Sequence, residues 1–204
     1  MTTRPDPAPS AEGSGAAEVL VTAALLAQRI DELGAELRGL VAPASEPPIL
    51  ISVLKGSTFF LADLVRATGI DLIVDFMAIS SYRGSGSGVV KIVKDLEVDI
   101  VDRDVVIVED IVDTGLTLNY LRRALSERAP RSLATVTLLN KSMRRIVPVP
   151  VELTGFDVPD VFVLGYGLDF QGRYRNVPDI LAVRDIARLA NDPYLLVGEL
   201  FTPV

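Results

Sequence analysis

The sequence predicts an α/β fold: a central, mostly parallel sheet flanked by helices. Apolar runs rich in Val, Ile and Leu, over 49–54, 104–109 and 133–139, are nearly continuous, as in strands buried on both faces. These runs alternate with segments of helical period, the pattern of a sheet covered on both sides. Polar residues also follow directly on the runs, at Lys55-Gly56, Glu109-Asp110, Lys141 and Asp169. Ligand sites in such sheets lie at the carboxyl ends of the strands. Turn formation alone would place Gly, Asn or Asp there, and it favours neither Lys nor adjacent carboxylates.

Taken in order, residues 1–17 are rich in Pro, Ala, Ser, Thr and Gly and read as a disordered tail. A single domain over 18–204 follows. Thr22 is placed to cap a helix whose apolar positions are Leu26, Ile30, Leu33, Leu37 and Leu40. After Pro47-Pro48, the 49–54 strand runs into Lys55-Gly56-Ser57 and a helix over 58–68. Strands over 71–79 and 89–96 flank a Gly/Ser-rich segment beginning at Ser80 and ending at Gly88. Between two strands of one domain, that segment reads as a mobile lid. The 104–109 strand leads to a helix over 117–128, the 133–139 strand ends in Asn140-Lys141, and a last strand spans 161–165.

Composition narrows the chemistry. The 204 residues include no Cys, His or Trp. Disulfides, thiolate nucleophiles, zinc knuckles and imidazole bases are therefore absent. Proton transfer falls to carboxylates, Lys, Tyr, water or the substrate. With 27 acidic and 20 basic residues, the net charge of −7 opposes binding to nucleic acid or to an anionic membrane. No stretch of 18 apolar residues exists and no basic segment precedes the apolar 16–27 region. A soluble, cytoplasmic protein is the expectation.

The richest segment is Val105-Val106-Ile107-Val108-Glu109-Asp110-Ile111-Val112-Asp113-Thr114-Gly115-Leu116-Thr117. Two carboxylates at a strand end can accept from a pair of vicinal hydroxyls. The loop that follows offers backbone N–H groups, two Thr hydroxyls and a helix N-terminus, which together can cradle a phosphate without a basic side chain. A plain helix cap with two solvated acids is the bland alternative.

This segment resembles the phosphoribosyl-pyrophosphate signature of type I phosphoribosyltransferases. Leu54-Lys55-Gly56, Asp75-Phe76-Met77, Ser80-Ser81-Tyr82, Val93-Lys94-Asp95-Leu96 and Gly165-Tyr166-Gly167-Leu168-Asp169-Phe170 resemble its hypoxanthine-guanine branch. The resemblance implies the type I fold with a small hood subdomain. It also implies transfer of 5-phosphoribosyl from phosphoribosyl pyrophosphate to a 6-oxopurine base, assisted by Mg²⁺, in a homodimer or homotetramer.

Residue by residue, the resemblance makes Glu109 and Asp110 acceptors for the ribose hydroxyls. Asp113, Thr114, Gly115, Leu116 and Thr117 would bind the 5′-phosphate, and Asp113 would be the catalytic proton-transfer group at N7. Lys141 would donate to the purine O6, Phe162 would stack on the ring and the Val163 backbone would meet the base edge. Lys55-Gly56 resembles a pyrophosphate loop, which in family members often holds a non-proline cis peptide. Ser81 and Tyr82 would belong to the lid, and Arg175 would contact the pyrophosphate. Glu109, Asp110 and Asp169 would be the carboxylates available to the metal. A xanthine-preferring enzyme and a phosphoribosyl-pyrophosphate-sensing regulator that binds RNA or DNA are the rivals. Acidic charge, together with Asp113 and Lys141, argues against the regulator.

Overall fold

The computed structural model describes residues 15–41, 46–82 and 89–201, with backbone only for 81–82 and 89–90. Its elements are β1 (Ala17–Val21), α1 (Ala23–Leu40), β2 (Ile49–Leu54), α2 (Thr58–Thr68), β3 (Ile73–Tyr82) and β4 (Val89–Lys94). β5 (Asp104–Val112), α3 (Leu116–Ser126), β6 (Ser132–Asn140), β7 (Leu153–Asp157), β8 (Phe162–Leu164) and β9 (Ile180–Val183) follow, then two short helices, α4 (Ile186–Asn191) and α5 (Val197–Leu200).

Six strands form the main sheet in the order β4-β3-β2-β5-β6-β7. All neighbours are parallel except β3 and β4, which form an antiparallel edge pair. Because successive strand residues face opposite sides, β2 and β5 each feed two cores. Leu50, Val106 and Val108 pack with Leu26, Ile30 and Leu33 of α1 and with Phe60 and Leu64 of α2. Ile49, Ile51, Val105 and Ile107 pack on the opposite face with Leu118, Leu121 and Leu125 of α3. Covering both faces is why these strands read as unbroken apolar runs.

Thr22 caps α1 as expected, its hydroxyl accepting from the Leu25 N–H at 3.3 Å. The expected apolar stripe loses its last member, since Leu40 is 41% exposed. Strand 104–109 continues to Val112, because Glu109, Ile111 and Val112 keep their register with Thr137, Leu139 and Asn140.

A second, three-stranded antiparallel sheet, β1-β9-β8, forms the hood. It has its own core of Leu164, Tyr174, Val177, Leu181, Val183 and Leu189. β1 starts at Ala17, the last residue assigned to the tail from sequence, and residues 1–14 lie outside the described residues. Among the described residues, no helix is long and apolar enough to cross a membrane.

The sheet order fixes where a ligand can sit. From β2 the chain crosses through α2 to β3 on one side, and from β5 it crosses through α3 to β6 on the other. β2 and β5 are therefore adjacent strands whose connections diverge, which opens a crevice at their carboxyl ends.

Candidate active site

That crevice holds a 470 Å³ cavity. Its walls include Lys55 and Gly56 after β2, Glu109, Asp110 and Asp113 at the end of β5, and Lys141 after β6. Phe162 and Val163 of the hood and Asp169 and Arg175 from the turns beyond it complete the lining. A 180 Å³ recess shares Glu109, Asp110 and Asp113 with this cavity and extends to Thr114, Gly115 and Thr117 at the start of α3. Residues far apart in sequence thus line a cavity and an adjoining recess that share Glu109, Asp110 and Asp113.

Glu109 is buried, and the half-buried Asp110 lies beside it. Burial pushes the Glu109 carboxyl well above its ordinary range, and the neighbouring Asp110 adds to the effect. Burial raises Asp110 to about 6, against the opposing pull of the Ile111 N–H, its own N–H and Arg175. Among the described residues, no cation forms an ion pair with either acid. Such a pair is an acceptor waiting for donors. Gly56 faces it directly: a Cβ at that position would lie 1.6 Å from Asp110 Oδ2, so only glycine lets the β2 turn approach the carboxylate.

Lys141 is buried, and its ammonium donates to the Val161 carbonyl at 2.6 Å. That bond holds the side chain beside the Phe162-Val163 wall. An ammonium can only donate, so the group it would meet here is an acceptor such as a carbonyl oxygen. Asn140, which precedes it, donates to Asp157 at 2.6 Å and accepts from Arg145. Phe162 is 37% exposed and meets Phe170 edge-on, with ring centroids 5.8 Å apart. One of its faces stays available for stacking on a flat ligand.

Asp113 Oδ1 pairs with Arg144 Nε at 3.2 Å, and the same guanidinium reaches Asp160 at 3.2 Å. The Asp113 Oδ1 that meets Arg144 is buried and has no hydrogen bond of good geometry. It is an available acceptor inside the cavity. Neither Arg144 nor Asp160 was singled out from sequence, where both look like surface charges. The only local signal is the closeness of Arg144 to Lys141.

Arg175 belongs to the cavity. It pairs with Asp169 at 2.6 Å and donates to the Gly167 carbonyl at 2.5 Å. Arg173 instead lies over the Tyr194 ring, 3.8 Å from its centroid. The cis peptide is Leu54-Lys55, one bond before the expected Lys55-Gly56. Leu116 opens α3 with its side chain half exposed and is not among the residues lining the recess; its N–H points to Thr114 Oγ1 at 3.4 Å. Ser81 and Tyr82 close β3 by pairing with Val90 and Val89. Of the expected lid from Ser80 to Gly88, Ser80, Ser81 and Tyr82 belong to β3 instead, because they continue its pairing with β4, and residues 83–88 lie outside the described residues.

Among the described residues, no three carboxylate, imidazole or thiolate groups converge on a point that could hold a metal ion. Glu109, Asp110 and Asp169 therefore do not form a cage of their own. The donor set fits Mg²⁺ in another way. Mg²⁺ is commonly held by one or two carboxylates, several waters and substrate phosphate oxygens, and uncompensated acids beside an anion recess supply that share.

Comparison with known proteins places the chain. A model of the phosphoribosyl transferase domain matches residues 18–171. The hypoxanthine phosphoribosyltransferase of Escherichia coli (strain K12) is 48% identical over 166 residues, covering 80% of this chain and 93% of that protein. The hypoxanthine-guanine phosphoribosyltransferase of Mycobacterium avium is 50% identical over 165 residues, covering 78% and 81%. A solved hypoxanthine phosphoribosyltransferase from Staphylococcus aureus superposes with a TM-score of 0.78 at 39% identity, covering 83% of this chain and 92% of that one. The matched stretch contains every strand of the crevice, and the chain belongs to the phosphoribosyl transferase domain family.

Proposed function

We propose that this protein is a hypoxanthine-guanine phosphoribosyltransferase. It transfers 5-phosphoribosyl from phosphoribosyl pyrophosphate to N9 of hypoxanthine or guanine, releasing pyrophosphate, in purine salvage. The observation that carries the reading is the pair of adjacent acids, Glu109 buried and Asp110 half-buried, with no paired cation, between an anion recess and a flat, donor-lined pocket. A sugar with vicinal hydroxyls, a 5′-phosphate on one side and an aromatic carbonyl base on the other matches that order. The names carried by the relatives in E. coli and M. avium agree with it.

In the mechanism we infer, the 5′-phosphate lies in the recess, accepting from backbone N–H groups over 113–117 and from the hydroxyls of Thr114 and Thr117. The ribose hydroxyls donate to Glu109 and Asp110, which fixes C1′ in the crevice. The pyrophosphate leaves towards Lys55, Gly56 and Arg175, whose positive charge and N–H groups stabilise its developing charge. The base enters against Phe162, with O6 accepting from Lys141. N9 attacks C1′ as the bond from C1′ to the pyrophosphate oxygen breaks, and Asp113 takes up the proton the base gives away at N7. When bound, Mg²⁺ beside Asp169, Glu109 or Asp110 would neutralise pyrophosphate charge.

Lys141 also sets the choice of base. A 6-amino group would present hydrogens to an ammonium that has no lone pair, so adenine is rejected. The test is a direct assay in which the purified protein, Mg²⁺ and phosphoribosyl pyrophosphate are offered each purine in turn, followed by ultraviolet absorbance. Nucleotide should form from hypoxanthine and guanine, and not from adenine. Failure with hypoxanthine, guanine and xanthine alike would end the enzyme reading. Product from xanthine alone would replace it with the xanthine-preferring one.

A further inference from the structure

Outside the groups used above, one polar contact ties together both walls of the pyrophosphate end. The Tyr166 hydroxyl donates to Asp63 Oδ2, although the two are 103 residues apart. Tyr166 sits at the centre of three consecutive residues with left-handed backbone, Gly165 (φ 95°), Tyr166 (φ 47°) and Gly167 (φ 96°). A bulky side chain seldom adopts that conformation without support. Its N–H donates to Val177 at 2.7 Å, its ring meets Phe59 edge-on at 6.4 Å, and its hydroxyl is anchored on α2.

The turn it holds touches the site twice. Gly167 packs on the loop after β2 so closely that a Cβ there would lie 2.2 Å from the Gly56 carbonyl. The Gly167 carbonyl accepts from Arg175, which in turn pairs with Asp169. Asp63 lies on α2, the helix that this same loop feeds, and its other oxygen pairs with Arg66. The phenol–carboxylate bond thus joins the helix behind Lys55-Gly56 to the turn that presents Arg175 and Asp169. Burial and the Asp63 carboxylate both push the Tyr166 hydroxyl up, so it stays protonated and donating at every pH of interest.

We propose that Tyr166 and Asp63 form a positioning pair for the pyrophosphate end of the site. They set the spacing between the Lys55-Gly56 loop and Arg175 without touching substrate. This inference rests on the phosphoribosyltransferase reading. It makes a selective prediction, because the base pocket and the 5′-phosphate recess are built from other elements.

The test compares Tyr166→Phe, Asp63→Ala, their combination and Asp63→Asn by steady-state kinetics. Calorimetric titration with Mg²⁺–pyrophosphate and thermal melts accompany each variant. Tyr166→Phe keeps the ring against Phe59 and loses only the hydroxyl. It should raise KM for phosphoribosyl pyrophosphate and Kd for pyrophosphate about tenfold, the ordinary weight of a hydrogen bond to a charged group. KM for hypoxanthine should stay within about twofold of wild type, as expected for elements outside the broken contact. Asp63→Ala should match it, and the double variant should be no worse than either single one. Asp63→Asn still offers an acceptor oxygen and should restore most of the loss. Melting temperatures that fall with unchanged KM for phosphoribosyl pyrophosphate would overturn the proposal. So would an equal rise in both KM values, or an Asp63→Asn variant as impaired as Asp63→Ala. If Tyr166→Phe does not fold, the Asp63 pair decides alone. Absence of nucleotide from the wild-type protein would instead count against the functional reading, with pyrophosphate affinity still reporting on the pair.

Discussion

The two ends of β5 carry buried carboxylates in opposite circumstances. At the start of the strand, Asp104 accepts from Arg131 at 3.0 and 2.5 Å and from the Ser132 hydroxyl at 2.7 Å. The Arg131 contact, with Ser132 adding to it, holds that carboxyl below its ordinary range despite burial. At the other end, the buried Glu109 and the half-buried Asp110 have no paired cation, and both are held above theirs. The first arrangement stabilises the fold. The second costs stability, because ionised acids are kept from water with no cation and, at Asp110, only the backbone N–H groups of Ile111 and itself to offset the loss. What separates the two ends is position: the carboxyl end of β5 faces the crevice, and its missing donors are those a substrate brings. Asp75 is another satisfied acid. Burial pulls its carboxyl up, but the N–H groups of Phe76, Glu97 and Val98, with Lys94, bring it below the ordinary range.

The comparison can be broken most sharply at Asp113, just past the crevice end of β5. Asp113→Asn removes the proton acceptor while keeping its shape, and turnover should fall by ~10²–10⁴-fold. Binding of phosphoribosyl pyrophosphate, followed by calorimetry, should change little. Unchanged turnover would dismiss the proton role. Next in size, Glu109→Gln should lower kcat/KM by about a hundredfold, since a hydrogen bond to a charged acceptor is worth ~1.5–3 kcal/mol. Its chemical denaturation midpoint should rise. A falling midpoint would mean that Glu109 serves the fold.

At the opposite end of β5, Asp104→Asn should cost roughly 2 kcal/mol of unfolding free energy, because it leaves a buried site short of its charge-assisted bonds. Kinetic constants should stay as in wild type, and a change in KM would show that the two ends are coupled. The smallest effect is on pH dependence. Asp104 has a depressed folded value, so its stabilisation is full above about pH 4 and is lost as pH falls through that folded value. Asp110 works the other way. Its folded value, about 6, exceeds the ordinary 3.8, so the folded protein holds the proton more tightly than the unfolded chain. Its cost to stability is absent at low pH, grows above about pH 4 and is complete above about pH 6. Denaturation curves at pH 5 and pH 8 should differ by less in Asp110→Asn than in wild type.

Much of this was legible in the sequence because the crevice is made of local signals. Strand 49–54 with its Lys55-Gly56 turn, and the run from Val105 to Thr117, combine a long apolar stretch with unusual polar residues in one short window. β2 has the expected bounds, and β5 starts where expected and runs on past Glu109 to Val112. The hood strands β1 and β9 and the edge strand β7 were missed, because segments of four or five residues carry little periodicity. β7 also contains Gly155, which weakens its strand signal. It is there because a Cβ would lie 2.5 Å from the Leu138 carbonyl of β6, a fact of packing across the sheet.

The site was partly legible for the same reason. Glu109, Asp110 and Asp113 sit in one motif and Lys141 closes an apolar strand run, while Phe162 and Arg175 needed the family resemblance to be selected. Arg144 was not found, because its role depends on Asp113 and Asp160, which only the folded chain brings to either side of it. Asp63 and Tyr166 are hidden in the same way.

Asp110→Asn tests most directly whether the crevice end of β5 is built for a ligand at the expense of stability. Urea unfolding at pH 7.5 should show the variant more stable than wild type, by on the order of 2 kcal/mol. The same preparation should bind phosphoribosyl pyrophosphate more weakly and form little nucleotide. A variant that unfolds at lower urea than wild type, or that keeps full activity, would contradict the account.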